Sequence, residues 1–563
     1  MCESTKPTAT YIGADGQVTA RVTMSPSSNK VRAEVEAPPY QAIPIVFVPG
    51  IMGSPLLATG DNVGMVQGKS WAWFPDRTSW LIKPFDSYRT LSPIERKKLL
   101  DPLQTRALSM PKDAEREIVS EHVTVLPVEE ALNRGWGSVM LGSYGKILNA
   151  LEVTLRFILT PEGKPYPAIL AAKPYDASRW GQLKGYIPLT LKNLRYAAEF
   201  RYPVYAVGYN WLNSNAQAAD YLAERIKAIL KRCESELSTE CKHGVILVTH
   251  SMGGLVARMC AKRNPSLIQG VVHGVQPAIG AATAYRRVRA GWEDTAGAIG
   301  IGGTGKKIIP IFANAAGPLE LLPNHRYGAG WLRVTCDEKE SFQLPTAGIG
   351  GADPYLQIYL KKHAWWRLMS DDWINPVDKP TPNSLNNAWN NYEKMLGQAK
   401  KFHIDLSNYY HPKSYVHYGA DDNHQAFHRI TWNVSNMPAF DGTPSIAPPL
   451  SRDHAFSLQL KKDNFEGRVW MINEMQEKQW VSRRGVGVTR STFGDSYTAK
   501  LRDQDQAGDG TVPAHAAEDA ASHAIFAARM SGYDHQGSYD NESVKHVTLY
   551  SILRIAASAK ELA

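Results

Sequence analysis

Long uninterrupted apolar runs are missing from this 563-residue chain. None approaches the roughly 18 uncharged residues that a helix needs to cross a bilayer, so any membrane contact expected from the sequence is peripheral. Cysteine is scarce as well. The five residues Cys2, Cys233, Cys241, Cys260 and Cys336 make neither a disulfide framework nor a zinc-ligand spacing. Cys260 lies in an apolar helical stretch and reads as a buried thiol. Cys233 and Cys241 bracket SELSTE between a helix and a strand; they either pair locally, in an oxidising compartment, or stay as thiols. Charge of one sign is also short: 63 Lys and Arg stand against 54 Asp and Glu, a net of +9. With no basic run beyond doublets such as Lys306-Lys307, nucleic acid is not expected as a partner, whereas an anionic lipid surface or an acidic protein fits the mild excess. The opening MCESTKPTATYIGADGQ has neither a basic n-region nor an apolar h-region, so no Sec-type signal peptide is expected. An apolar fraction of 43% and a charged fraction of 21% exclude disorder as the main state.

What is present points to an α/β protein. IPIVFVPG (43–50), YPVYAVGYNW (202–211) and HGVILVTHS (243–251) are continuous apolar runs, as expected of strands buried on both faces of a parallel sheet; KKIIPIFAN (306–314) is a candidate fourth. Between the second and third, NAQAADYLAERIKAILKRC (215–233) repeats its apolar residues at helical spacing, with Asn215 as the expected N-cap. Strand, helix and strand make a βαβ unit. The predicted core comprises 41–58, 200–350, 411–421 and 501–563, after an N-terminal arm at 1–40. Three excursions interrupt it: 59–199 (part cap, part core helices), 351–410 (cap) and a mainly β insertion at 422–500, where HRITWNV and GRVWMINEM read as strands. The aromatic content of the first two, as in SWAWFPDRTSW and HAWWRLMSDDW, suits either the core of a small lobe or a cap over an apolar pocket.

Three motifs carry chemistry. In VILVTHSMGGLVARMC (245–260) a buried strand runs through a tight turn into a helix, the setting of a nucleophile elbow with Ser251 at its tip. Gly253 and Gly254 supply the small residues on the helix side. On the strand side Thr249 stands where glycine is usual. The Met252 amide, in the first turn of the helix, is a candidate oxyanion donor. In VFVPGIMGSPLL (46–57) a second buried strand opens into a glycine-bearing turn that can aim the Ile51 amide at the same point, with Gly50 and Gly53 allowing close backbone approach. QAGDGTVPAHAAED (506–519) places Asp509 in a Gly-Asp-Gly turn, ahead of the solvated rivals Asp503 and Asp505. An α/β-hydrolase runs nucleophile, acid, histidine along the chain, so the histidine is sought after residue 509. His535 in SGYDHQGSYDN sits on a polar, glycine-containing loop and is the choice over His515, His523 and His546, the last of which reads as lying just before the C-terminal helix VTLYSILRIAASA; His424 and His428 precede the acid. His515, Asp519 and His523 share one helical face, which a polar surface explains better than a metal. No metal and no cofactor are called for.

Together PGIMGS, HSMGGLVAR, GYNW, GPLELLPN (317–324) and GDGTVP resemble the lecithin–cholesterol acyltransferase and GPI-inositol deacylase branch of the α/β-hydrolases. DHQGSYDN and HPKSYVHYGAD are most similar to the fourth family of type VI secretion phospholipase effectors. The resemblance implies an α/β-hydrolase core with inserted cap lobes and a Ser251–His535–Asp509 triad with the Ile51 and Met252 amides as oxyanion donors. It also implies an antibacterial serine lipase of phospholipase A type, with the A1 position favoured, acting on membrane phospholipid. Such a protein is made in the cytoplasm without a signal peptide and exported by a type VI apparatus and its carrier into the periplasm of a target cell. A cognate immunity protein blocks it in the producer. The rival readings are acyl transfer to an alcohol by the same fold and, from another class, a silent membrane- or partner-binding scaffold.

Overall fold

A computed structural model describes residues 39–561, apart from 66–70, 75–87, 89, 109–112, 121, 161, 171–176, 237–238, 294–300, 337–338, 349–350, 377–379, 437–451, 474–477, 483–484 and 490–495. It also describes the strands Ser4–Thr8, Thr10–Ile12, Val18–Ala20 and Val31–Val35 near the N-terminus. Most of SWAWFPDRTSW therefore lies outside the described residues; Trp71–Trp73 forms a short strand.

The apolar runs assemble into a seven-stranded sheet of β1 (Ile45–Val48), β2 (Gln182–Lys184), β3 (Val204–Ala206), β4 (Val245–His250), β5 (Ile268–Gly274), β6 (Ser414–Gly419) and β7 (Phe526–Met530). Their order is β2-β7-β6-β5-β4-β1-β3. All neighbours are parallel except β2, which closes one edge antiparallel to β7. The principal helices are α1 (Leu141–Thr154), α2 (Asn215–Ser235), α3 (Gly253–Arg263), α4 (Ala282–Ala290), α5 (Gly305–Phe312), α6 (Pro382–Leu406), α7 (Ala514–His523) and α8 (Glu542–Glu561). Side chains alternate along each strand. Val46, Val48 and Leu247 join the apolar cluster built with α2 and α3, while Ile45, Phe47 and Ile246 join the one built with α1 and α8. Both faces are covered, which is why the runs lack polar alternation. This is the α/β-hydrolase architecture expected. A second, six-stranded sheet holds Ile430–Asn436 and Arg468–Ile472, the two strands expected in that region, together with Leu332–Cys336 and Lys339–Leu344.

Three expectations need correction. KKIIPIFAN is not a strand; it is helix α5. A short apolar run reads alike for a buried strand and a helix buried all round, and length here does not separate them. The sheet position belongs to β5, IQGVVHG, whose Gln269, His273 and glycines mask its burial. Gly270 is needed there because Ile555 of α8 fills the space a Cβ would take, at 2.6 Å. The N-cap of α2 is Ser214, not Asn215: its hydroxyl accepts the Ala216 N–H at 3.2 Å. Asn215 instead donates its own N–H to the buried Glu320 carboxyl group at 2.8 Å. His546 lies within α8 rather than before it.

One ionic cluster ties the layer together and gave no sequence signal. Buried Arg134 donates to Glu130 at 2.5 Å and to Glu152 of α1 at 2.7 Å. Glu152 also accepts the Val204 N–H of β3 at 3.0 Å, and Arg232 of α2 reaches Glu130 at 2.7 Å. Removing one partner of such a cluster leaves uncompensated buried charge. Arg134→Met is therefore expected to lower stability by about 3–5 kcal/mol, read as a shift of the urea unfolding midpoint; an unshifted midpoint would contradict this account.

Candidate active site

The turn after β4 holds Ser251 at φ 53°, a left-handed conformation that L-residues avoid. Neighbouring turns are strained in the same way, with Met52 at φ 61° after β1 and Val275 at φ 47° after β5. Such outliers cost on the order of 1–3 kcal/mol each and persist where surrounding contacts over-determine them. Here the Ser251 N–H donates to the Gly274 carbonyl at 2.9 Å, and the Ser251 carbonyl accepts the Gly254 N–H at 3.0 Å. Thr249 fits where glycine is usual because its hydroxyl finds the Val272 carbonyl at 3.4 Å while Tyr539 donates to its own carbonyl at 2.9 Å. The glycines answer to close approach. A Cβ on Gly253 would lie 2.4 Å from the Val48 carbonyl oxygen, and one on Gly50 would lie 2.9 Å from Ser251 Cβ. A Cβ on Gly53 would meet the Tyr144 hydroxyl at 2.7 Å, and one on Gly254 the Gln276 side chain at 2.8 Å.

The three side chains separated in sequence meet here. Ser251 Oγ lies 2.9 Å from His535 Nε2, and His535 Nδ1 lies 2.8 Å from Asp509 Oδ2. The second carboxylate oxygen accepts the Thr511 and Val512 amides at 3.0 and 2.7 Å, and the Asp509 carbonyl accepts the His535 N–H at 2.7 Å. The acid is thus fixed by its own turn, and the imidazole is oriented with Nδ1–H toward Asp509 and its free nitrogen toward the hydroxyl. Ile51 and Met252 flank this point; among the described residues neither backbone amide is engaged by another protein group.

A second layer escaped the sequence reading. His250 Nε2–H donates to the His535 carbonyl at 2.9 Å, so its Nδ1 accepts from the Tyr144 hydroxyl at 3.1 Å. Tyr144 in turn accepts the Gly50 N–H at 3.4 Å. One neutral histidine therefore couples the elbow, the histidine loop and the loop after β1. Burial, reinforced by the neighbouring His535, pushes His250 down to about 3. Its place beside the serine was the one available signal; Tyr144, on α1 of the first excursion, offered none.

The other candidates go elsewhere. Asp505 accepts the His428 and Arg429 amides, and His424 pairs with Asp421 at 3.1 Å. His515 donates to the Tyr327 carbonyl at 3.0 Å, Asp519 takes Arg326 at 2.5 Å, and His523 stacks on Tyr410. Those contacts engage the shared helical face. Cys233 and Cys241 are both free, buried thiols, and Cys260 is buried as expected.

A cavity of about 670 Å³ opens over Ser251 and His535, within the usual range for a small-molecule cleft. Its wall is largely apolar, with Met52, Trp73, Ile301, Phe312 and Leu321 among its residues.

A PGAP1-like alpha/beta domain model matches residues 192–278, the segment that contains β3, α2, β4, the elbow and β5. The crystal structure of a Tle4–Tli4 complex contains a chain similar over 92% of this one and 98% of that one, at 25% identity and a TM-score of 0.67. The fold is that of a Tle4-like α/β-hydrolase. No curated protein sequence matches the chain. The similarity extends through the excursions as well as the core, since it spans nearly the full length of both chains. No helix among the described residues is long and apolar enough to cross a membrane.

The buried histidines make stability depend on pH. Burial holds His250, His403 and His417 at about 3, well below the unfolded value of roughly 6.5. Between those limits the unfolded chain binds more protons, so their contribution is present above pH 6.5 and declines as pH falls. His411 and His428, lowered by burial to about 4, act in the same direction, whereas Glu320, raised by burial to about 8, acts oppositely over the same window. The urea midpoint should drop between pH 7 and pH 5 at up to about 1.4 kcal/mol per pH unit for each net proton. A flat profile would refute the neutral buried imidazoles.

Proposed function

We propose that this protein is a serine lipase that hydrolyses acyl esters of membrane phospholipids, of phospholipase A type with the sn-1 position favoured, and that it serves as an antibacterial type VI secretion effector. The observation that carries the enzymatic reading is the Ser251–His535–Asp509 relay, 2.9 and 2.8 Å, set at the base of an apolar cavity. In the proposed reaction His535 takes the Ser251 proton as the oxygen attacks an acyl carbonyl, and Asp509 stabilises the imidazolium. The Ile51 and Met252 amides hold the oxyanion, a contribution of roughly 10²–10³ in rate for each donor. The leaving alcohol departs with that proton; the same histidine then takes a proton from water as it attacks the acyl-enzyme, and returns it to Ser251 Oγ as the fatty acid is released.

The apolar wall suits a fatty-acyl chain, and the sn-1 preference follows from the resemblance to the phospholipase effectors. The Tle4-like fold and the pairing of that solved chain with Tli4 support the effector assignment, with a cognate immunity protein as partner and delivery by a secretion carrier into a target periplasm. Hydrolysis is preferred over acyl transfer, and the organised relay argues against a silent scaffold.

Ser251→Ala should abolish phospholipid hydrolysis and labelling by a fluorophosphonate while preserving the fold by circular dichroism; hydrolysis at the parent rate would overturn the assignment. Asp509→Asn should lower kcat by about 10³–10⁴-fold, because the imidazole loses its orienting acceptor. Mass spectrometry of products from a phospholipid with two different acyl chains distinguishes sn-1 from sn-2 cleavage. Adding an alcohol acceptor to the same assay detects transfer.

A further inference from the structure

The segment HPKSYVHYGAD (411–421) runs through β6 and past its carboxyl end, and none of its side chains belongs to the relay. Its last three residues nevertheless meet both loops that complete the relay. Gly419 leaves room for the acid, since a Cβ there would lie 2.7 Å from Asp509 Cβ. The Ala420 N–H donates to the Met530 carbonyl at 2.7 Å, where β7 gives way to the histidine loop. Asp421 then begins a short strand, Asp421–Ala426, paired antiparallel with Gln506–Gly508 immediately ahead of Asp509.

Asp421 is buried, and its carboxylate is spent on loop backbone. Oδ2 accepts the Gly532 N–H at 2.8 Å and lies 3.1 Å from His424 Nδ1, while Oδ1 accepts the Asn423 N–H at 2.9 Å. The Gly532 amide first, then that of Asn423, pull the carboxyl down to about 2, so these are charge-assisted bonds. The His424 carbonyl accepts the Gly510 N–H at 2.8 Å. One strand thus holds both loops, the acid loop just after Asp509 and the histidine loop just before His535. Gly532 takes a left-handed φ of 85°, and beyond it the loop is held by the backbone of His535 on the Asp509 carbonyl and on His250. Resting on the lipase reading above, we infer that Asp421 is a positioning residue of the reaction, a second carboxylate that anchors the histidine loop at Gly532 and so aims His535 Nε2 at Ser251. It does not line the cavity, so it acts on the transfer of the proton and not on the fit of the acyl chain. A misplacement of about 1 Å in such a relay can cost on the order of 10²-fold in rate.

The test uses the full chain and p-nitrophenyl butyrate, a soluble ester that needs no lipid surface. Asp421→Ala is expected to lower kcat by about 10–100-fold, and the rate of fluorophosphonate labelling with it, while KM stays within about twofold. Asp421→Asn keeps an oxygen for the Gly532 N–H and should lose less, about 3–10-fold in kcat, again at unchanged KM; this second variant carries the test if the alanine protein does not fold. Arg134→Met is the control for mere loss of stability: it weakens the ionic cluster away from Ser251 and should keep the parent kcat below its unfolding transition. Parent kcat in both Asp421 variants, a change confined to KM, an asparagine variant no more active than the alanine one, or an equal loss in Arg134→Met would overturn the inference and leave the lipase reading standing. A parent protein that neither hydrolyses the ester nor takes the label would overturn both.

Discussion

Two missing Cβ atoms set how near the loop after β1 comes to the turn after β4. At Gly253 a Cβ would lie 2.4 Å from the Val48 carbonyl oxygen, and at Gly50 another would lie 2.8 Å from His250 Nδ1. With only hydrogen at both places, the two backbones close together around Ser251. The serine is then pinned on both sides of its peptide, by the Gly274 carbonyl and the Gly254 amide. Its left-handed φ is the conformation left over once those contacts are made. A looser approach would free the serine to relax and would move the Ile51 amide away from the first turn of α3.

Neutrality of His250 is the electrostatic counterpart of that packing. Its ring centroid lies 5.0 Å from that of His535. A charged imidazole at this distance would oppose any positive charge forming on His535, the more strongly for being shielded from water. Complete burial prevents it, and the direction of its hydrogen bonds makes the neutral state specific. Nε2–H is committed to the His535 carbonyl and Nδ1 to the Tyr144 hydroxyl. The residue beside the serine therefore steers the histidine loop through its backbone without competing for the proton.

The meeting of Ser251, His535 and Asp509 was legible in the sequence because each of its parts is local. An elbow, a Gly-Asp-Gly turn and a polar loop each bring their own turn residues, and chain order ranks the candidates. The fold was legible where strands are uniformly apolar, at β1 and β4, and illegible at β5, where Gly270 packs against Ile555 of α8, Gly274 against Tyr539, and His273 against Tyr410. The misreading of α5 has the same root, since burial on all sides erases the period that separates helix from strand. Arg134 and Tyr144 were out of reach for another reason. Apart from Glu130, four residues before Arg134, their partners lie 18 to 106 residues away, and no local pattern announces a contact of that range. The aromatic excursions resolve by position: Trp365 and Trp366 pack with Trp432 and Phe456 in a lobe core, whereas Trp73 turns to the cavity while leaning on Trp211. Composition alone leaves both roles open because both draw on large apolar rings.

The cavity's asymmetry follows from this division of labour. Its polar floor comes from loops at the carboxyl ends of the sheet strands, where backbone amides and the relay are anchored by short hydrogen bonds. Its apolar wall comes from distant segments, Trp73, Ile301, Phe312 and Leu321, which contribute surface and no chemistry. An amphiphile entering such a space is oriented by exclusion, because a chain that points toward the floor leaves polar groups unpaired, and a headgroup that points toward the wall loses its hydration. For the proposed phospholipid substrate, the arrangement that satisfies both ends carries the ester linkage across the boundary between them. Ser251 stands at that boundary. In the proposed lipase reading, orientation by burial supplies much of the positioning that a polar substrate would need from directed hydrogen bonds.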